Sequence, residues 1–161
     1  MTRLPTLGPR GEGWVALQSV ALGGALIAGI VALANPGWHG TVRIMTTAGG
    51  LAVAALGAEL SRRAARDLGR NLTPLPHPTG DANLIETGIY RRVRHPIYGG
   101  VILMTVGWGL LATSAPAVAI GVALVPFFWL KSTVEERWLE VRFPGYAAYR
   151  RRTRRFIAWP D

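Results

Sequence analysis

Between residues 88 and 99 the chain reads Gly-Ile-Tyr-Arg-Arg-Val-Arg-His-Pro-Ile-Tyr-Gly, which sets four arginine and histidine side chains against the start of an apolar run. Arg94 and His95 directly precede Pro96, and proline is favoured at the first position of a helix. There the unsatisfied N–H groups and the helix dipole attract an anion, so a carboxylate or phosphate would be well held. Tyr98, Gly99 and Gly100 fall in the first turns, and the glycines let a flat ligand or another helix approach the backbone closely. The structural alternative is that Arg91, Arg92 and Arg94 anchor the helix to anionic lipid while His95 caps it.

A second polar cluster follows the next apolar run: Glu135 and Glu136, then Tyr146 and Tyr149. Adjacent carboxylates at a bilayer edge repel each other and lose solvation, so they persist where cations or donors meet them. They point about 100° apart on a helix. One of the two is expected to meet an ammonium or sulfonium group of a ligand. Ion pairs with Lys131 or Arg137 are the structural alternative, and such pairs stabilise a helix by only tenths of a kcal/mol in water.

The elements that must bring these clusters together are membrane helices. Half of the 161 residues are hydrophobic and the mean hydropathy is +0.25. A bilayer-spanning helix needs about 20 apolar residues. Uncharged runs at 14–34 and 96–113, and a run at 44–60 with Glu59 near its end, each suit a span. A shorter fourth run, 116–130, carries Pro126 in its interior, which is expected to kink it or shift its hydrogen bonds. The first run is longer than the apolar core of a secretory signal and is read as retained. The chain has no cysteine, so disulfides, thiolate metal sites and cysteine nucleophiles are excluded, and no metal is expected.

The 18 basic residues are unevenly placed. Arg62, Arg63, Arg66, Arg70, Arg91, Arg92 and Arg94 fill the segment between the second and third runs; Lys131, Arg137, Arg142 and the arginines of 150–155 follow the fourth. The loops 35–41 and 112–115 hold no Lys or Arg. Four helices with both termini inside put every arginine-rich segment on the cytoplasmic side. The linker after 60 is expected to continue as helix through Arg70 and then break at Pro74, Pro76 and Pro78, with a turn at Gly80 and Asp81. A helix leaving the membrane is expected over 131–143. The stretch from Tyr146 to Trp159 has the tyrosines, arginines and tryptophan of a headgroup layer.

Taken in order, these pieces resemble the isoprenylcysteine carboxyl methyltransferase and phospholipid methyltransferase superfamily of integral membrane methyltransferases. The resemblance covers 68–156. It runs through Leu-Gly-Arg-Asn-Leu-Thr-Pro, Gly88-x-Tyr90, Arg94-His95-Pro96-x-Tyr98-x-Gly100, Glu135-Glu136 with Leu139 and Phe143, and Tyr146-x-x-Tyr149 with a basic tail. Pro144 stands where the family has glycine, and a closing proline comes only at Pro160.

The resemblance implies an all-α integral membrane protein of about four transmembrane helices with a C-terminal cytoplasmic helical segment, in a bacterial-type inner membrane, N-in and C-in. It forms one domain: two helices over 1–60, a cytoplasmic linker over 61–97, and a motif-bearing hairpin with a cofactor-binding segment over 98–161. It implies S-adenosylmethionine as methyl donor and a lipophilic acceptor entering from the bilayer. Gly88 and Tyr90 would line the nucleoside, Arg94, His95 and Tyr98 with Gly100 the methionine end, and Glu135 or Glu136 its amino group. Tyr146 and Tyr149 would close the pocket. Lys131 and Glu135 would act on the acceptor, Lys131 standing where enzymes of prenylcysteine carry a basic residue. The helical layout also resembles membrane reductases of the sterol or enone type, which use a nicotinamide dinucleotide, and a non-enzymatic lipid-binding scaffold is the third reading. Nothing beyond the tail's charge matches a nucleic-acid module.

Overall fold

The computed structural model describes residues 5–78, 80 and 82–157. Asp81, Trp159 and Pro160, read above as parts of a turn and of the tail, lie outside the described residues. Gly11 adopts the left-handed conformation at φ 85° and turns the chain into α1, Glu12–Ala34. α2 runs Gly40–Leu68, so the second span and its extension form one rod, followed by a short 3-10 turn at Gly69–Asn71. α3 is Pro96–Leu111, with Pro96 in its first turn as expected. α4 is Ala115–Arg142, capped by the Ser114 hydroxyl, which accepts from the Ala117 N–H at 3.3 Å. The short α5, Tyr146–Arg152, ends the helical part.

The chain thus folds as an all-helical membrane protein. α1, α2 and α4 are each long and apolar enough to cross a bilayer. α3 is the exception: its 16 residues rise roughly 24 Å, short of a hydrocarbon layer of about 30 Å. The fourth span and the helix expected after it are a single 28-residue helix with Pro126 inside. Proline removes one donor, and the burial of Leu124, Phe128 and Val134 around it holds the rod together. Ile27, Ile30, Ile44, Met45, Leu51, Leu56 and Val122 point outward, an apolar surface suited to lipid. Arg43, in the first turn of α2, sits at the end of the bundle away from the other arginines of that helix.

Glycines bring α2 and α3 together. A Cβ on Gly57 would stand 2.6 Å from the Gly100 carbonyl, and one on Gly107 would stand 2.7 Å from that of Gly50, so the backbones touch at two levels. α4 packs on the other side of α3, and α1 packs against α4 and α3. Trp108 lies against Gly29 and donates to the Ala25 carbonyl at 3.1 Å. Gly23, by contrast, faces open space. Between α2 and α3 the proline-rich linker folds back over the bundle, closed at its base by the Asn71 amide, which donates to the Asn83 carbonyl at 3.0 Å.

Candidate active site

The chain enters α3 through a 3-10 turn, Gly88–Arg91. Gly88 lies at φ 57°, and a Cβ there would run into the Asp67 carboxylate, which accepts the Ile89 N–H at 2.8 Å. Only glycine fits that conformation and that space. Residues 92–95 then run beside the tail. The Arg154 N–H donates to the Arg92 carbonyl, the Arg94 N–H to the Arg154 carbonyl and the His95 N–H to the Arg155 carbonyl, each at 2.8 Å. His95 occupies the N-cap of α3 but makes no side-chain cap bond. Its ring is committed elsewhere.

That commitment separates the two glutamates. Glu136 is enclosed: its Oε1 accepts from Arg94 Nε at 2.9 Å and lies 3.1 Å from His95 Nε2, while its Oε2 accepts from Arg155 Nη2 at 3.3 Å. Only 3% of its side chain is exposed. Glu135 points into a cavity instead, with 22% of its side chain exposed. Its Oε2 accepts from the Tyr98 hydroxyl at 2.8 Å and lies 3.7 Å from His95 Nδ1. Arg94 is held on its other side by the Thr153 and Arg150 carbonyls.

The cavity has a volume of about 430 Å³, within the range of about 300–1,000 Å³ usual for small-molecule sites. Tyr90, Arg94, His95, Tyr98, Lys131, Glu135, Tyr146 and Tyr149 all line it. The Tyr149 hydroxyl donates to the Tyr90 carbonyl at 2.8 Å, and the Tyr146 hydroxyl is buried with no hydrogen-bond partner among the described residues. The Tyr98 ring is stacked with both His95 and Phe128, at 5.5 and 4.5 Å between centroids. Lys131 Nζ lies 5.1 Å from the Tyr98 centroid and donates to Gln18 Oε1 at 2.7 Å and the Pro74 carbonyl at 3.3 Å. It does not take up Glu135 as its hydrogen-bonded partner. Burial pushes the phenols of Tyr90, Tyr146 and Tyr149 well above their ordinary range, and the nearby carboxylates push the first two further.

Gly88, Gly100 and Glu136 stand behind the wall of the cavity. Gly88 meets Asp67, Gly100 packs on Ser61 and Gly57, and Glu136 is covered by Arg94, His95 and Arg155. Three groups escaped the sequence reading: Gln18, Asp67 and Arg155. Gln18 carried a signal, as a polar side chain within the first apolar run. Arg155 carried none that set it apart from its basic neighbours.

The model of a family described as phospholipid methyltransferase matches residues 45–145. No curated protein matches the sequence. Among solved structures, a eukaryotic intramembrane Ras methyltransferase, isoprenylcysteine carboxyl methyltransferase, superposes with a TM-score of 0.69 at 22% identity. The alignment covers 89% of this chain and 53% of that one, so this chain corresponds to about half of its neighbour. At that identity the likeness is one of fold.

Proposed function

The chain belongs to the phospholipid methyltransferase family, and from that premise we propose that it transfers a methyl group from S-adenosylmethionine to a lipophilic acceptor at the cytoplasmic edge of the membrane. The observation that carries the reading is the presence of opposite charges in one cavity: Arg94 and His95 at the N-terminus of α3, with Glu135 beside them, its Oε2 3.7 Å from His95 Nδ1. An α-amino acid end needs both, a cationic cradle for its carboxylate and an anion for its ammonium. The buried Tyr146 hydroxyl supports the fit, since a polar ligand atom would supply the partner it lacks.

S-adenosylmethionine supplies an electrophilic methyl carbon on a sulfonium and departs as a neutral thioether. No protein nucleophile is needed, so the residues work by holding geometry and excluding water. Tyr90 and Tyr149 offer aromatic faces for the nucleoside. Tyr98, fixed between His95 and Phe128, holds Glu135 in place through its hydroxyl. Lys131 stands at the far end with Leu72, Leu75 and Val101, and orients the polar head of the acceptor while those side chains take its apolar part. If the acceptor is an amine or alcohol, Glu135 is placed to remove its proton; a carboxylate acceptor needs no base. With both termini inside, the arginine-rich segments and the cavity face the cytosol.

Calorimetry of S-adenosylhomocysteine and of NADPH against detergent-solubilised protein tests the reading. Saturable binding of the thioether alone, followed by transfer of label from the methyl donor to a lipid extract, is the expected result. Binding of NADPH in its place would overturn it in favour of a reductase.

A further inference from the structure

We propose that Arg155 is a positioning residue for this site, and that residues 153–155 form a strap which carries its guanidinium from the tail to α4. The proposal rests on the reading above that Arg94 and His95 face the ligand. The strap is anchored by main-chain bonds: Arg94 and His95 donate their N–H groups to the carbonyls of Arg154 and Arg155, and the Arg154 N–H donates to Arg92. Thr153 adds its carbonyl to the Arg94 guanidinium. The segment that leads into α3 is therefore bonded to the tail through both its backbone and the Arg94 side chain.

Arg155 then spans the gap to α4. Its Nη1 donates to the Trp129 carbonyl at 2.9 Å, Thr133 Oγ1 at 2.8 Å and Ser132 Oγ at 3.2 Å, while Nη2 reaches Glu136 Oε2 at 3.3 Å. Its Cζ lies 4.1 Å from the centre of the Trp129 ring. The guanidinium fork thus fixes one oxygen of Glu136 while Arg94 and His95 share the other. A carboxylate pinned at both oxygens cannot rotate, and the two groups that hang on Oε1 are oriented with it. Arg155 is not among the cavity-lining residues, so its side chain acts on the ligand through Glu136. Lysine would keep the charge and lose the fork.

The test uses Arg155→Ala, Arg155→Lys and, as a control for tail stability, Phe156→Leu, whose ring packs edge-on against Trp129. The first readout is the imidazole 15N spectrum of the full-length protein in detergent, with three histidines to distinguish and His95→Gln to assign the signal. The second is the dissociation constant for S-adenosylhomocysteine. Arg155→Ala should shift the His95 resonances and weaken binding by about tenfold or more; Arg155→Lys should recover part of both; Phe156→Leu should lower Tm and move neither. An unmoved His95 signal in Arg155→Ala refutes the proposal whatever the binding result. So does loss of affinity in Phe156→Leu in proportion to its Tm. If wild type fails to bind the thioether while the His95 signal responds as described, the methyl-donor reading falls and the positioning role stands.

Discussion

Replacing each glutamate of the pair by glutamine should separate a structural carboxylate from a ligand-facing one. Glu136 has 3% of its side chain exposed and lies between Arg94 at 2.9 Å, His95 at 3.1 Å and Arg155 at 3.3 Å. In Glu136→Gln the amide oxygen can serve Arg94 and His95, which turns the NH2 group toward Arg155, donor against donor. Breaking a buried pair by removing one partner costs about 3–5 kcal/mol, and the isostere should fall at the lower end. For a chain of this size that corresponds to a Tm lower by roughly 6–12 °C. Glu135 is different: its bond to the Tyr98 hydroxyl survives as an amide, and solvent reaches the group. Glu135→Gln should lose about 1 kcal/mol of stability or less. A lost ammonium partner is a hydrogen bond to a charged group, about 1.5–3 kcal/mol, so affinity for S-adenosylhomocysteine should drop on the order of 10- to 150-fold. Thermal unfolding in detergent and calorimetry on the same samples read both quantities. Equal losses of stability in the two variants, or unchanged affinity in Glu135→Gln, would refute the division of roles.

Gly57→Val would drive a branched side chain into the Gly100 carbonyl across the α2–α3 seam, and since backbone cannot yield there it should cost about 3 kcal/mol. Gly23→Ala, in open space, should leave Tm unchanged, and equal melting of the two would dismiss the seam. Lys131→Met keeps the length of the side chain and removes its bonds to Gln18 and Pro74. Methyl transfer should fall at least tenfold while the dissociation constant of the thioether stays within about twofold, a loss confined to the acceptor step. Tyr90, Tyr146 and Tyr149 have phenols raised by burial, so the folded state holds their protons where the unfolded chain has released them. Their contribution to stability is complete below the unfolded value near pH 10 and declines as pH rises beyond it. Phenolate absorbance should therefore appear together with unfolding; a smooth titration of the folded protein near pH 10 would contradict the burial.

The helices were largely legible in the sequence, because they follow from composition and local spacing, whereas the residues expected around the cavity came from the family resemblance. Apolar runs located α1 and α2, and Pro96 marked the start of α3. What could not be read is anything decided by contact between distant segments. Gly100 was open to a flat ligand or another helix, and only the contact with Gly57 and Ser61, some forty residues earlier in the chain, decides for the helix. Glu135 and Glu136 are adjacent and chemically identical, and the approach of Arg94, His95 and Arg155 to Glu136 distinguishes them. Pro126 argued for a kink or shifted hydrogen bonds, and it lies inside a helix that continues unbroken from Ala115 to Arg142. The tail seemed a uniform basic stretch; its register against 92–95 singles out one arginine among many.

The charge balance of the buried cluster explains why Glu136 does not extinguish the anion site beside it. Glu136 contributes one negative charge, whereas Arg94 and Arg155 contribute two positive charges, each bonded to it. Counted over these three side chains, one positive charge is left in excess beside the start of α3. Arg94 and His95 also line the cavity, so this surplus faces it. On the proposed reading, a ligand carboxylate arriving there would neutralise the cluster and satisfy donors that the protein leaves open, while Glu135, beside His95 and turned into the cavity, would answer an ammonium. The same balance accounts for burying Glu136 at all. Without it, two guanidinium groups and a histidine would share a dry space, and α3, α4 and the tail would repel one another where they must meet.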